Sequence, residues 1–145
     1  MNATQVPPFP VSNPSAYDGP DASADDGARN TAFLAHLSTL TWLVGLPFGN
    51  LIGPLIVWWS HRGKSDFVDA HCRAVINFQI TITVAGLAMV GVGIAAAAAE
   101  EPIGFVALVP LVLILALVLV AGTVVGCIRA RAGELYRYPL ALPWI

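Results

Sequence analysis

PIGFVALVPLVLILALVLVAGTVVGCI, at residues 102–128, contains no formally charged side chain. Two other stretches share this property: 74–99 holds 26 residues and 32–60 holds 29. As helices, the three stretches would reach roughly 39–44 Å, compared with about 30 Å for the hydrocarbon core of a bilayer. These lengths indicate that the chain folds within a lipid bilayer, and the sequence predicts an all-α integral membrane protein.

The composition excludes two classes of protein. The 145 residues are 57% hydrophobic and only 11% charged, whereas a soluble domain carries about a quarter charged residues. An ordinary water-soluble fold is therefore excluded. No basic patch is interleaved with aromatic residues, so nucleic acid is not an expected partner.

The N-terminal residues 1–30 are rich in Pro, Ser, Asp and Ala. Such a segment cannot bury enough apolar surface to offset chain entropy, so the sequence predicts a disordered tail. It does not resemble a signal peptide, because it lacks a basic start and the first apolar run begins only after residue 30.

The placement of charge predicts the orientation in the membrane. Six of the seven basic residues form two clusters: Arg62, Lys64 and Arg73, and then Arg129, Arg131 and Arg137. The connection at 100–102 has no basic residue. The positive-inside rule therefore places 60–73 and an interfacial C-terminal tail, 133–145, in the cytoplasm. We expect a multi-pass protein of the inner (plasma) membrane, with full spans in 66–99 and 102–130.

The first apolar stretch has two possible interpretations. Gly45, Pro47 and Gly49 interrupt it, since proline removes a backbone donor and glycine permits a turn. It is either one broken span, with the N-terminal tail outside, or a hairpin of two short helices, 31–45 and 50–60, with the tail inside. Each short helix would measure roughly 16–22 Å, too short to span, so length favours the single broken span.

Aromatic side chains flank the predicted cytoplasmic segments. They are typical of interfacial anchors in membrane proteins. The residues are Trp58, Trp59, Tyr136, Tyr138 and Trp144.

The helix that begins near Asp66 carries the most distinctive polar side chains. Asp69, Arg73, Asn77 and Thr81 recur every four residues and so share one stripe, while Gln79 lies on another side. Two amides thus enter the apolar layer, where each needs a partner. Interhelical hydrogen bonds are the favoured interpretation. A path or binding site for a polar ligand is the alternative.

No pattern typical of catalysis or metal binding is present. His36 lies in the first apolar stretch, and His61 and His71 flank the basic loop. No HExxH, CxxC or similar spacing accompanies them. We therefore predict no catalytic residue, no cofactor and no metal site, and interpret the histidines as hydrogen-bonded or interfacial.

Glycines mark places where helices could approach closely. Gly122 and Gly126 form a GxxxG pattern in the last span. Such patterns favour close packing of helices and, more weakly here, a homodimer.

An ordered set of sequence blocks resembles a family of small prokaryotic membrane proteins of unknown function. The blocks are AHL at 35–37, GNLIGPLIVW at 49–58, SDFV at 65–68, NFQ at 77–79, GE at 133–134 and YRYP at 136–139. The family is distantly similar to the four-helix inner-envelope component of the chloroplast protein-import machinery. This resemblance implies the hairpin and a cytoplasmic N-terminus.

Together, these observations predict four helical segments at 31–45, 50–60, 66–99 and 102–130, the first two short and the last two full spans. The function we favour is a non-enzymatic accessory or scaffold subunit. Its expected partners are the lipid bilayer and either other membrane-protein subunits or a second copy. The alternative is a transport or protein-translocation component, in which Arg73, Asn77 and Gln79 would line a polar path.

Overall fold

The computed structural model describes residues 24–44 and 48–145, and their regular elements are all helical. Four α-helices follow in order: α1 (Asp26–Leu37), α2 (Gly49–His61), α3 (Asp66–Ala98) and α4 (Pro102–Ala132). A 3-10 segment, Ser38–Val44, continues α1. Helices α3 and α4 are long and apolar enough to cross a membrane. The predicted all-α architecture, with two short and two spanning helices, is confirmed.

Helix α1 begins earlier than the sequence predicted. Asp25 caps it, since the backbone N–H of Ala28 donates to Asp25 Oδ1 at 2.6 Å. Asp26 in the first turn favours the same start, because a carboxylate stabilises the positive end of a helix. Residues 26–30 are thus helical rather than part of the predicted tail. The rest of that tail, 1–23, lies outside the described residues.

The first apolar stretch folds as a hairpin of short elements and not as one broken span. Helices α1 and α2 have 12 and 13 residues, roughly 18–20 Å each. The break itself, at 45–47, lies outside the described residues. On the side of α2, Thr41 of the 3-10 segment donates to the carbonyl oxygen of Gly49. Gly53 packs directly on the backbone of Ser38. The predicted helix 31–45 is therefore corrected to an α-helix ending at Leu37 and a 3-10 segment.

Local sequence signals explain the ends of the long helices. Ser65 caps α3, accepting from the backbone N–H of Val68. Pro102 begins α4, where its missing N–H costs nothing. Gly133 ends α4 with φ +75°, a left-handed conformation that glycine adopts without strain.

The core lies at one end of the long helices. The buried residues of α3 all fall within Phe67–Ile82, and those of α4 are Thr123, Gly126 and Ala130. Helices α1 and α2 and the C-terminal tail pack around this end. We call residues 24–44, 48–83 and 123–145 the cap, and residues 84–122 the apolar hairpin.

The apolar hairpin leaves its large side chains uncovered by protein. Ile103 is 75% exposed, and Val106 and Leu117 are nearly as open. At the tip, Gly104 lies against Ala96, so that the two helices approach closely. Apolar side chains on every side of a helix pair are expected where acyl chains provide the surroundings.

Gly53 and Gly91 provide a matched test of the cap. A Cβ added at Gly53 would lie 2.5 Å from the carbonyl oxygen of Ser38, whereas one at Gly91 meets nothing within 4 Å. We expect Gly53→Ala to destabilise the cap by about 1–3 kcal/mol through overpacking. Gly91→Ala should leave stability unchanged or raise it. Thermal unfolding in mild detergent measures both, and equal melting temperatures would contradict this packing.

Candidate functional site

His36 of α1 lies at the centre of the cap and is fully buried. Its Nδ1 is 2.8 Å from the hydroxyl oxygen of Tyr138, and its Nε2 is 2.8 Å from Nδ1 of His71. Three segments distant in sequence, namely α1, α3 and the C-terminal tail, are joined by these two hydrogen bonds. Tyr138, predicted as an interfacial anchor, is instead only 1% exposed.

When both imidazoles are neutral, the donor and the acceptor of every hydrogen bond in this cluster can be assigned. His71 Nε2 lies 3.1 Å from the carbonyl oxygen of Glu134, which can only accept. Nε2 therefore donates, leaving Nδ1 of His71 to accept from Nε2–H of His36. Nδ1 of His36 must then accept from the hydroxyl of Tyr138. In this series of hydrogen bonds, each donor thus faces an acceptor.

Burial favours the neutral forms of His36 and Tyr138. It lowers the pKa of His36, in the short helix α1, well below its usual value, and the neighbouring His71 lowers that pKa further. Burial raises the pKa of the Tyr138 hydroxyl in the C-terminal tail well above its usual value. Both directions follow from the cost of placing a charge away from water.

The GxxxG face of α4 provides the space for these side chains. A Cβ at Gly126 would lie 2.6 Å from Nδ1 of His36 and 2.7 Å from the Tyr138 hydroxyl. At Gly122 it would lie 3.0 Å from the rings of both Tyr138 and Phe78, which are stacked with centroids 4.1 Å apart. The two glycines therefore receive aromatic rings of their own chain rather than a second helix.

Asn77 of α3 holds the end of the C-terminal tail. Its Oδ1 accepts from the backbone N–H groups of Trp144 and Ile145, each at 3.0 Å, and its Nδ2 donates to the carbonyl oxygen of Ile145. One turn further along, Thr81 accepts from the backbone N–H of Leu142 and from the indole N–H of Trp144. The predicted need of Asn77 for a partner in the apolar layer is met by the tail.

Gln79 faces α2 instead. Its Oε1 accepts at 3.1 Å from Nδ2 of Asn50, which also donates to Thr83 at 3.1 Å. The side chain is fully buried, and its Nε2 has no hydrogen-bond partner among the residues that the structure describes. These three residues form a second polar cluster, on the opposite side of α3 from the tail.

Asp69 and Arg73, which lie on the stripe described from the sequence, form an ion pair. Nε of Arg73 lies 2.7 Å from Oδ2 of Asp69, while Oδ1 accepts from the indole N–H of Trp58 at 2.6 Å. The guanidinium of Arg62 stacks over the Trp58 ring, 4.8 Å from its centroid. The pair thus fixes the end of α2 against the start of α3.

The sequence-predicted residues therefore divide among three places, all in the cap or, for Gly122, at its border with the apolar hairpin. His36, Gly122 and Gly126 meet in the histidine–tyrosine cluster, Asn77 binds the tail, and the remaining three face α2. Within 24–44 and 48–145, no group of three or more His, Cys, Asp and Glu could hold a metal ion. Sequence reasoning missed His71, Tyr138 and Asn50 as partners. The block Tyr136-Arg137-Tyr138-Pro139 was the available signal for Tyr138.

The lowered pKa of His36 predicts that the cap loses stability in acid. A histidine with an ordinary pKa of about 6.5 when unfolded, and a lower one when folded, stabilises the fold above that pH and less as the pH falls through it. We expect the melting temperature to fall between pH 7.5 and pH 5, and to fall less in His36→Gln, which cannot titrate there. Equal pH dependence of the two proteins would contradict the assignment.

Asn77→Leu and Gln79→Leu should separate the two faces of α3. Asn77→Leu removes three hydrogen bonds to the tail, so we expect faster amide hydrogen exchange at 142–145 and little change in α2. Gln79→Leu removes an amide that lies at a similar depth in the membrane and bonds to Asn50. It should leave the backbone amides of the tail protected from exchange. Exchange measured by mass spectrometry in detergent tests both. Equal protection of the tail in wild type and Asn77→Leu would rule out this docking.

Three comparisons with known proteins bear on the identity of the chain. None of the curated proteins matches it, and none of the solved structures does. The predicted distant similarity to the chloroplast import component finds no support. A family model matches residues 27–145, nearly the whole described chain. The resemblance to a family of small membrane proteins is thus confirmed at this level, and the family has a description. The chain belongs to the magnetosome magnetite crystal formation protein family, MamF/MmsF.

Proposed function

We propose that this chain takes part in magnetite crystal formation at the magnetosome membrane, as a non-enzymatic accessory or scaffold subunit. The family description supplies the process. The two apolar helices that could span a bilayer support the location in a membrane. The molecular role is inferred from the way in which the cap uses its polar groups.

The inward hydrogen bonding of the cap carries this proposal. His36 bonds to His71 and Tyr138, Asn77 bonds to the tail, and the carboxylate of Asp69 is shared by Trp58 and Arg73. A catalytic group or a transport path needs polar atoms directed at a substrate. Side chains paired with their own chain instead fix its shape, which is what a scaffold requires.

The orientation we propose follows the exposed charges. The basic end of the cap carries the exposed side chains of Arg62, Lys64 and Arg131, whereas Glu100 and Glu101 are exposed at the tip of the apolar hairpin. Positive-inside bias then places the basic end of the cap at the cytoplasmic face and the tip on the other side of the membrane.

One observation favours transport as a second candidate function. Nε2 of Gln79 is buried, lies in the apolar layer and lacks a partner among the described residues. Polar groups left over within a membrane are often functional. A path past Gln79 would use that donor, and an effect of Gln79→Leu on activity would distinguish it from a scaffold.

Complementation tests the scaffold against the transporter. In a magnetite-forming strain that lacks this chain, we expect altered crystal size by electron microscopy, and restoration by both the wild type and Gln79→Leu at equal membrane level. Affinity purification in mild detergent should recover a larger complex at fixed stoichiometry.

Two outcomes would overturn the scaffold role. One is recovery of the chain alone under those conditions. The other is iron flux into liposomes that contain only this chain, suppressed by Gln79→Leu. Unaltered crystals in the strain lacking the chain would instead count against the link to crystal formation.

A further inference from the structure

The depth of the α1–α2 hairpin in the bilayer is set by two polar contacts on α3. Trp58, near the end of α2, bonds to Asp69, and Asn50, near its start, bonds to Gln79 and Thr83. Helix α2 therefore runs beside residues 69–83 of α3. None of the described hydrogen bonds joins it to a later residue of α3.

The positions of these contacts along α3 indicate how deeply α2 enters the hydrocarbon layer. Arg73 is the last charged residue of α3 before the hairpin tip, so the apolar layer begins close to it. Gln79 and Thr83 lie 6 and 10 residues beyond Arg73, or roughly 9–15 Å at 1.5 Å per residue. The hydrocarbon core is about 30 Å thick. Helix α2 thus reaches about the middle of the bilayer and occupies one leaflet.

The outer face of α2 is suited to lipid. Ile56 is 61% exposed and Trp59 is 79% exposed, so that no segment within 24–44 and 48–145 covers them. Exposed Arg62 and Lys64 follow directly at the cap end. An apolar face next to an exposed tryptophan and two cations is complementary to acyl chains beneath anionic headgroups.

The molecule is therefore wider in one leaflet than in the other. Among the described elements, the cap leaflet contains the 3-10 segment, α2, α3 and α4, whereas the opposite leaflet contains α3 and α4 alone. The two additional helical elements, each about 10 Å across, add roughly 160 Å² to the cross-section of one side. A flat bilayer must stretch or bend to accommodate that difference.

We infer that the chain is a membrane wedge: its cap side fits the convex leaflet of a curved bilayer, and the occupant of the exposed α2 face is the acyl layer of that leaflet. This preference depends on the shape of the fold and does not require the proposed role in crystal formation. It would concentrate the chain wherever the membrane bends away from the cap.

Membrane tubes pulled from giant vesicles test the wedge with the wild-type chain. The protein is reconstituted with a small dye on Lys64, the sole lysine, after the N-terminal amine has been blocked. A membrane-impermeant quencher reports whether the cap, which contains Lys64, faces outward. We expect outward-facing molecules to be about two- to threefold denser on the tube than on the vesicle, the bias that a free-energy difference of about RT produces.

Molecules inserted the other way round are the matched control. With the cap inside, the same chain should be depleted from the tube by a similar factor, whereas an effect of dye or detergent would be equal in both orientations. Equal densities on tube and vesicle, or the same ratio in both orientations, would overturn the inference.

The occupant of the α2 face has its own test. Ile56→Cys places a thiol on the exposed face without changing the core. At high dilution in liposomes, we expect no disulfide-linked dimer under mild oxidation, because lipid covers this face. The wild type, whose free thiols are Cys72 and Cys127, is the control. Efficient cross-linking of Ile56→Cys beyond that of the wild type would show a second copy there, and the assignment to acyl chains would fail.

Discussion

The hydrogen bond between His36 and His71 lies where α1, the long helices and the C-terminal tail meet. Helix α1 is too short to be stable as an isolated helix, and in the cap it is held by burial against its neighbours. His36 fixes how it is placed, since both of its ring nitrogens have partners. Loss of either partner would leave a polar atom buried without a hydrogen bond, which costs about 1–3 kcal/mol. A complete cluster therefore stabilises the packing of the cap.

The parts of the fold that depend on lipid could be predicted from the sequence. Charge-free stretches of 26 and 27 residues locate α3 and α4, because no soluble core requires such runs, although α3 begins at Asp66, before its stretch. The beginning of α1 was misplaced, since the acidic residues Asp25 and Asp26 were assigned to a polar tail although they cap a helix. Length alone also favoured a single broken span at 32–60. That interpretation was wrong, because a short helix can end within the bilayer when neighbouring protein covers the polar groups at its end.

The candidate site could be predicted only in part, because its partners are far apart in the chain. The four-residue spacing of Asp69 and Arg73 placed both on one stripe, and their ion pair is a local contact of that stripe. Tyr138, one of the two partners of His36, is 102 residues away, and Ile145, which bonds to Asn77, is 68 residues away. No periodicity encodes such a contact. Tyr138 was interpreted as an anchor because tyrosines are common at membrane interfaces, and only the return of the tail along α3 reveals its burial.

The asymmetry of the cap follows from the same polar contacts that close it. Asn50 is bound at mid-membrane and Trp58 at the headgroup level, so α2 can neither slide deeper nor leave the bilayer without breaking one of them. On the other side of α3, Asn77 and Thr81 hold the tail. The number of helices per leaflet is therefore a fixed property of the folded chain. A shape fixed in this way can act on a membrane, because a flexible hairpin would adapt to the bilayer instead.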